Sequence, residues 1–210
     1  MFTMIRHPIE RAVSLFHYLG VADWEPTYDP DLLHISIEMY ARSRRIEHNW
    51  MVRFLSNELE RDLTERHLEV AKEVLRKKCL IGLLTEKGDT FMRLERYFGW
   101  MFDGPEAKSC QERLLHWGWS NKHSHPMVEE GSPAWELLYK KNDLDMHLYE
   151  FAKELFKKQA VLFQPGGAHG PESAMFMTQG GSHLTLERGA ATGEIPPPMD
   201  GRDNSAGPGA

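Results

Sequence analysis

The apolar positions of this chain recur with two periods, one strand-like and one helical. Phe2-Thr3-Met4-Ile5 is a short, mostly apolar run of the kind that forms a buried strand. Pro8 follows a two-residue turn and suits the first position of a helix, where a missing N–H costs nothing. Ile9, Ala12, Val13, Phe16 and Leu19 then fall on one helical face, which is predicted to be core. Arg11 and Ser14 are three apart on its flank and are therefore neighbours.

The same reading carries down the chain. Val21 to Pro30 reads as a loop, and Asp31 is expected to cap a helix that turns Leu32, Leu33, Ile35, Ile37 and Met39 toward the core. Arg42, Arg44 and Arg45 read as a solvated helix end or as a patch for an anionic glycan. Thr64 begins a strong helix with Leu68, Ala71, Val74 and Leu75 inward. Cys79 to Leu84 is a second strand, and helix followed by strand is the rhythm of an α/β fold. Asp89 to Trp100 is a helix with Gly99 as its stop. Asp103-Gly104-Pro105 is a turn, and Gln111 to Trp119 carries no clear period. Ser132-Pro133 opens another helix, and Leu144, Leu148, Phe151, Ala152, Leu155 and Phe156 mark a last one from Asp143 to Gln159.

The chemistry lies at the first junction. A strand end opening into a helix N-terminus is where α/β folds bind ligands, and free N–H groups with the positive dipole end favour an anion there. Arg6 offers a two-pronged guanidinium and Ser14 a hydroxyl donor. An Arg ending a strand and a Ser on a helix flank are also ordinary surface residues, so spacing alone leaves both readings open.

The segment Arg6-x-Pro8-x-x-Arg11-x-x-Ser14-x-Phe16 resembles the 3′-phosphate-binding element of sulfotransferases that use 3′-phosphoadenosine 5′-phosphosulfate (PAPS), most of all the carbohydrate (Golgi-type) branch. The resemblance implies that Arg6 and Ser14, eight residues apart, hold the 3′-phosphate. His7 stands where that family usually has Asp or Asn. Asn49-Trp50-Met51-Val52-Arg53-Phe54-Leu55 is similar to the family's N-x-x-T-R-F-L element, with Val52 in place of Thr. It implies an acceptor contact by Asn49 and Arg53; the alternative is a helix turn with Trp50, Phe54 and Leu55 inward and Arg53 exposed. Asn121-Lys122-His123-Ser124-His125-Pro126 looks like the late loop that closes over the nucleotide, with Lys122 and Ser124 as donors. Asn142-x-x-Asp145-x-x-Leu148-Tyr149 resembles the family's last helix, a scaffold element.

The fold so implied is α/β: the C-terminal part of a P-loop-like sulfotransferase domain over residues 1–164, mostly helical with a few parallel strands. The family's 5′-phosphosulfate loop lies upstream of the Arg/Ser segment, and no G-x-x-x-x-G-K-[ST] is present, so the domain reads as N-terminally incomplete. The implied reaction moves a sulfuryl group from PAPS to a hydroxyl of a carbohydrate acceptor; no catalytic base is identifiable. One rival class is a truncated, non-catalytic interaction module; the other, a different nucleotide-dependent phosphotransferase, would need acidic metal-holding residues near a P-loop, and none is recognisable. The family's usual place is the Golgi lumen.

Composition trims this picture. A net charge of −6 argues against broad nucleic-acid binding, which needs a basic face. No run of 18 apolar residues is present to span a membrane. Cys79 and Cys110 read as free thiols. His123 and His125 do not make a zinc site, because no second ligand cluster accompanies them. Residues 165–210 hold ten of the 17 Gly, six of the 12 Pro and no Trp, and are expected to be a disordered tail.

Overall fold

The computed structural model describes residues 1–100, 104–117 and 125–163. The tail predicted from residue 165 onward, and most of the Asn121–Pro126 loop, lie outside the described residues.

Two short strands, Phe2–Ile5 (β1) and Leu80–Leu83 (β2), lie parallel, with Phe2 opposite Leu80 and Ile5 opposite Leu83. The Leu80 amide donates to the Met1 carbonyl at 2.8 Å. That phase turns the Ile81 and Leu83 amides to the far side of β2. Both are taken up by side chains: Ile81 N–H donates to Gln159 Oε1 at 2.9 Å and Leu83 N–H to Thr90 Oγ1 at 3.0 Å. Gln159 Nε2 also donates to the Cys79 carbonyl at 2.9 Å. The outer edge of β2 is thus covered, which blocks further pairing there. Thr90 comes so close that a Cβ on Gly82 would stand 2.5 Å from its Cγ2, so the position needs glycine.

Helices supply the rest: Pro8–Leu19 (α1), Ile37–Arg42 (α2), Trp50–Ser56 (α3), Glu65–Lys78 (α4), Lys87–Phe98 (α5), Pro105–Trp117 (α6), Pro133–Lys141 (α7) and Asp143–Gln159 (α8). The chain is therefore mostly helical with a small parallel sheet, as the α/β reading expects. Among the described residues no helix is long and apolar enough to cross a membrane.

The apolar stripes build two main cores. Ile5, Ile81 and Leu83 of the sheet meet Val52, Leu68, Leu75, Leu148 and Phe156 from α3, α4 and α8. Ile9, Val13 and Phe16 of α1 meet Tyr40 of α2, Ile46 and Leu138 of α7. Arg93 of α5 is buried, yet its guanidinium bonds the Phe156 carbonyl and the Asp89 carboxylate, both at 2.6 Å, and lies over the Phe156 ring. A buried cation so fully paired is scaffold.

Two expectations change. Asp31 does not start the second helix. Pro30–His34 is a tight 3-10 turn, Ile35 is extended, and Ser36 caps α2 by accepting from the Met39 amide at 3.3 Å. The interruption rotates the pattern, so Leu33 and Met39 face solvent while Leu32, Tyr40 and Ala41 are core. Of the stretch without a clear period, Gln111 to Trp117 belongs to α6, which Pro105 opens at its first position, and the rest lies outside the described residues.

Candidate functional site at the β1–α1 junction

Arg6 leaves the C-terminal end of β1, and α1 begins two residues later. The first helical bond runs from the Arg11 amide to the His7 carbonyl at 2.9 Å. The amides of Ile9 and Glu10 precede it, so they are donors without a helical acceptor. His7 occupies the capping position but makes no side-chain cap. These amides and the helix dipole make the turn electropositive.

Arg6, Glu10 and Ser14 recur at intervals of four and share one face of the junction. Arg6 Nε lies 3.7 Å from Glu10 Oε2, an ion pair too long for a hydrogen bond, and that Nε is buried without a hydrogen-bond partner. The Ser14 hydroxyl makes no hydrogen bond among the described residues. His7 Nδ1 is likewise buried and unpartnered, with its ring stacked on Trp135 at 5.4 Å and edge-on to Tyr149 at 5.2 Å. Burial lowers the His7 pKa, and the nearby carboxylates of Glu10, Glu150 and Glu130 only partly offset it. The junction thus gathers a cation, a hydroxyl, free amides and an uncharged imidazole, all with unfilled hydrogen-bonding capacity. Such a set has the chemistry to take an anion with several oxygens.

Lys122 and Ser124 lie outside the described residues. The end of their loop does not: the ring of His125 stacks on His17 of α1 at 5.1 Å, nearly parallel. His17 is three residues beyond Ser14, so the loop reaches α1 one turn from the hydroxyl. Burial, and then the neighbouring His125, lower the His17 pKa. An open cleft of about 370 Å³ lies on the same side, lined by His17, Phe16, Ile37, Val128 and Glu129 among others.

Asn49 and Arg53 take a different role from the acceptor contact that the sequence implies. Both are buried. Arg53 Nε donates to the His48 carbonyl, and Nη1 reaches the carbonyls of Glu58, Leu59 and Arg61, the last at 2.8 Å. Its guanidinium thereby folds the turn after α3 around itself. Asn49 Oδ1 accepts from the Asp145 amide at 3.0 Å, its Nδ2 donates to Asp143 Oδ1 at 3.1 Å, and its backbone amide donates to Asn142 Oδ1 at 3.1 Å. Asp145 answers by accepting from the Met51 and Val52 amides at 3.0 and 2.8 Å. The two helix starts cap each other, which satisfies orphan amides on both. Burial raises the Asp145 carboxyl pKa to about 6 despite those two bonds.

The alternative packing of α3 holds at Leu55, which packs against the core, and is reversed at Arg53 and Phe54. Arg53 is 7% exposed and Phe54 is 67% exposed. In the arginine cluster, Arg45 pairs with Asp29 at 2.9 Å and Asp31 at 3.7 Å, which ties it to the loop before α2. The sequence reading assigns His7 no role beyond a departure from the family pattern and does not single out His17. The signal available for His7 was its place between a strand end and a Pro-opened helix.

No family model, no curated protein and no solved structure matches this chain.

Proposed function

We propose that this chain is a sulfotransferase-type domain that uses PAPS and an alcohol acceptor, of the carbohydrate class. The observation that carries the reading is the β1–α1 junction, where Arg6 follows a parallel strand and pairs with Glu10, one turn before Ser14 on α1. In this reading the Arg6 guanidinium, the Ser14 hydroxyl and the leading amides of α1 bind the 3′-phosphate. Glu10 holds Arg6 only loosely, so the guanidinium keeps donors for the ligand. His7, neutral and packed between Trp135 and Tyr149, supports the turn without adding charge.

PAPS supplies the sulfuryl group: its S–O bond to the 5′-phosphate breaks as a new S–O bond forms to the acceptor oxygen. The hydroxyl proton leaves to a base, for which no residue of this chain is assigned. The chain's part is to anchor the nucleotide end of the donor, which fixes the geometry of transfer.

Calorimetric titration with 3′,5′-bisphosphoadenosine tests this. Wild-type protein binds, and Arg6→Ala and Ser14→Ala each weaken binding by about tenfold or more, the loss of one charge-assisted or hydroxyl contact. A folded chain that does not bind overturns the nucleotide reading and favours the non-catalytic interaction module.

A further inference from the structure

We infer that Trp50 and Phe54 form a saccharide-binding platform beside the nucleotide site. A helix that buries an arginine and turns a phenylalanine outward needs explaining, because buried polar and exposed large apolar groups are the informative exceptions. Arg53 is held inward by four carbonyls, as described above. The outward face of α3 is then Trp50, 37% exposed, and Phe54, 67% exposed, one turn apart. Their rings lie 6.2 Å apart and tilted by 33°, an open aromatic shelf.

Polar groups border the shelf on one side. The Arg11 guanidinium lies over the Trp50 ring, 5.9 Å from its centroid, and is bonded to Glu47 Oε2 at 2.6 Å, so Phe54 is the more open end of the shelf. Both side chains are partly exposed. A guanidinium with spare N–H groups next to a carboxylate offers donor and acceptor side by side. Adjacent hydroxyls of a sugar ring match that pair, since each hydroxyl both donates and accepts. The apolar C–H face of the ring then covers the aromatic shelf. A nucleobase matches less well: it would cover the shelf but present fewer groups to Arg11 and Glu47.

The size of the shelf suits a sugar better than a protein partner. Together the two rings expose about the area of one aromatic side chain, roughly 200 Å². A stable protein interface buries about 800 Å² on each side. One or two sugar rings fit. Position links the shelf to the proposed reaction: Arg11 is three residues from Ser14, so the shelf adjoins the nucleotide anchor. Calling the saccharide an acceptor rests on the sulfotransferase reading; the shelf itself does not.

The test is saturation-transfer-difference NMR and calorimetry on the full chain, with lactose and a chondroitin tetrasaccharide as probes. Wild-type protein transfers saturation to the ring C–H protons of at least one probe. Phe54→Ala and Trp50→Leu weaken that probe by about tenfold, a typical aromatic contact. Both variants keep the wild-type melting temperature and bind 3′,5′-bisphosphoadenosine unchanged. Phe54→Tyr, which keeps the ring, restores saccharide binding. No saccharide binding by the wild type, or equal binding by Phe54→Ala, overturns the platform. Loss of bisphosphoadenosine binding in Phe54→Ala also overturns it, by making the shelf a base-stacking surface. Saccharide binding without bisphosphoadenosine binding keeps the platform and removes the sulfotransferase reading.

Discussion

Two junctions in this molecule are built from similar polar residues and differ in what those residues have left to give. At the start of α3 and α8, Asn49, Asn142 and Asp145 cap the two helix starts across more than 90 residues of sequence, and Arg53 bonds the carbonyls of the turn after α3. At the start of α1, Arg6, His7 and Ser14 hold unfilled donors and acceptors, two of them buried. The first junction has its hydrogen bonds matched inside the protein and is scaffold. The second keeps hydrogen-bonding capacity that no described residue fills, which the proposed phosphate would take up. Matched capacity, more than residue type, separates structure from site, because a buried polar group is costly only while it lacks a bond.

The sharpest way to break this comparison is Asp145→Ala. It strips the acceptors from the Met51 and Val52 amides and uncaps α3. The expected loss is about 3 kcal/mol in urea denaturation, combining a lost cap with buried unsatisfied donors. A loss near zero would make the reciprocal cap incidental.

The same carboxyl makes the scaffold pH-dependent. Its folded pKa of about 6 lies above the unfolded value of 3.8. Between those values the folded state holds a proton that the unfolded state has released, so stability falls as pH rises. The contribution is full below the unfolded pKa and is lost as pH passes the folded one. The shift corresponds to at most roughly 3 kcal/mol. Other carboxylates titrate in the same range, so the quantity to read is wild type minus Asp145→Asn, which does not titrate. That difference should decline between pH 4 and pH 7; a flat difference would mean the carboxyl is not desolvated.

Arg53→Met follows, at about 2 kcal/mol, because it keeps the apolar stem and removes the donors to the 58–61 turn. If Arg53 instead contacted an acceptor, stability would hold and only binding would change.

The contrast was half legible in the sequence. Strands and long amphipathic helices announce themselves through local period, and β1, α1, α4, α7 and α8 fall where that period puts them. The α3 face did not, because what buries Arg53 is a set of carbonyls up to eight residues downstream, which no helical period records. The segment before α2 failed for a local reason: Pro30 and an extended Ile35 split one expected helix into a 3-10 turn and a short helix capped by Ser36. The two motifs around Asn49 and Asn142 were each visible, but their mutual capping depends on a contact that only the folded chain makes. At the proposed site, spacing placed Arg6 after a strand and Ser14 on a helix flank, but left both an anion site and an ordinary surface open; their proposed role comes from the family resemblance. His17 joins the same region only through the His125 stack.

The smallest expected effect on stability is at Arg6. Its Nε has no hydrogen bond to lose, and its ion pair with Glu10 is long and partly exposed. Such pairs contribute little. Removing the guanidinium also leaves Glu10 in the first turn of α1, where the dipole favours a carboxylate without help. Arg6→Ala should therefore stay within about 0.5 kcal/mol of wild type, measured beside Asp145→Ala under identical conditions. Nucleotide affinity should move the other way round, falling in Arg6→Ala as already described. If Arg6→Ala unfolds the chain as readily as Asp145→Ala, the guanidinium is scaffold too, and the distinction between a matched and an unmatched junction no longer locates the site.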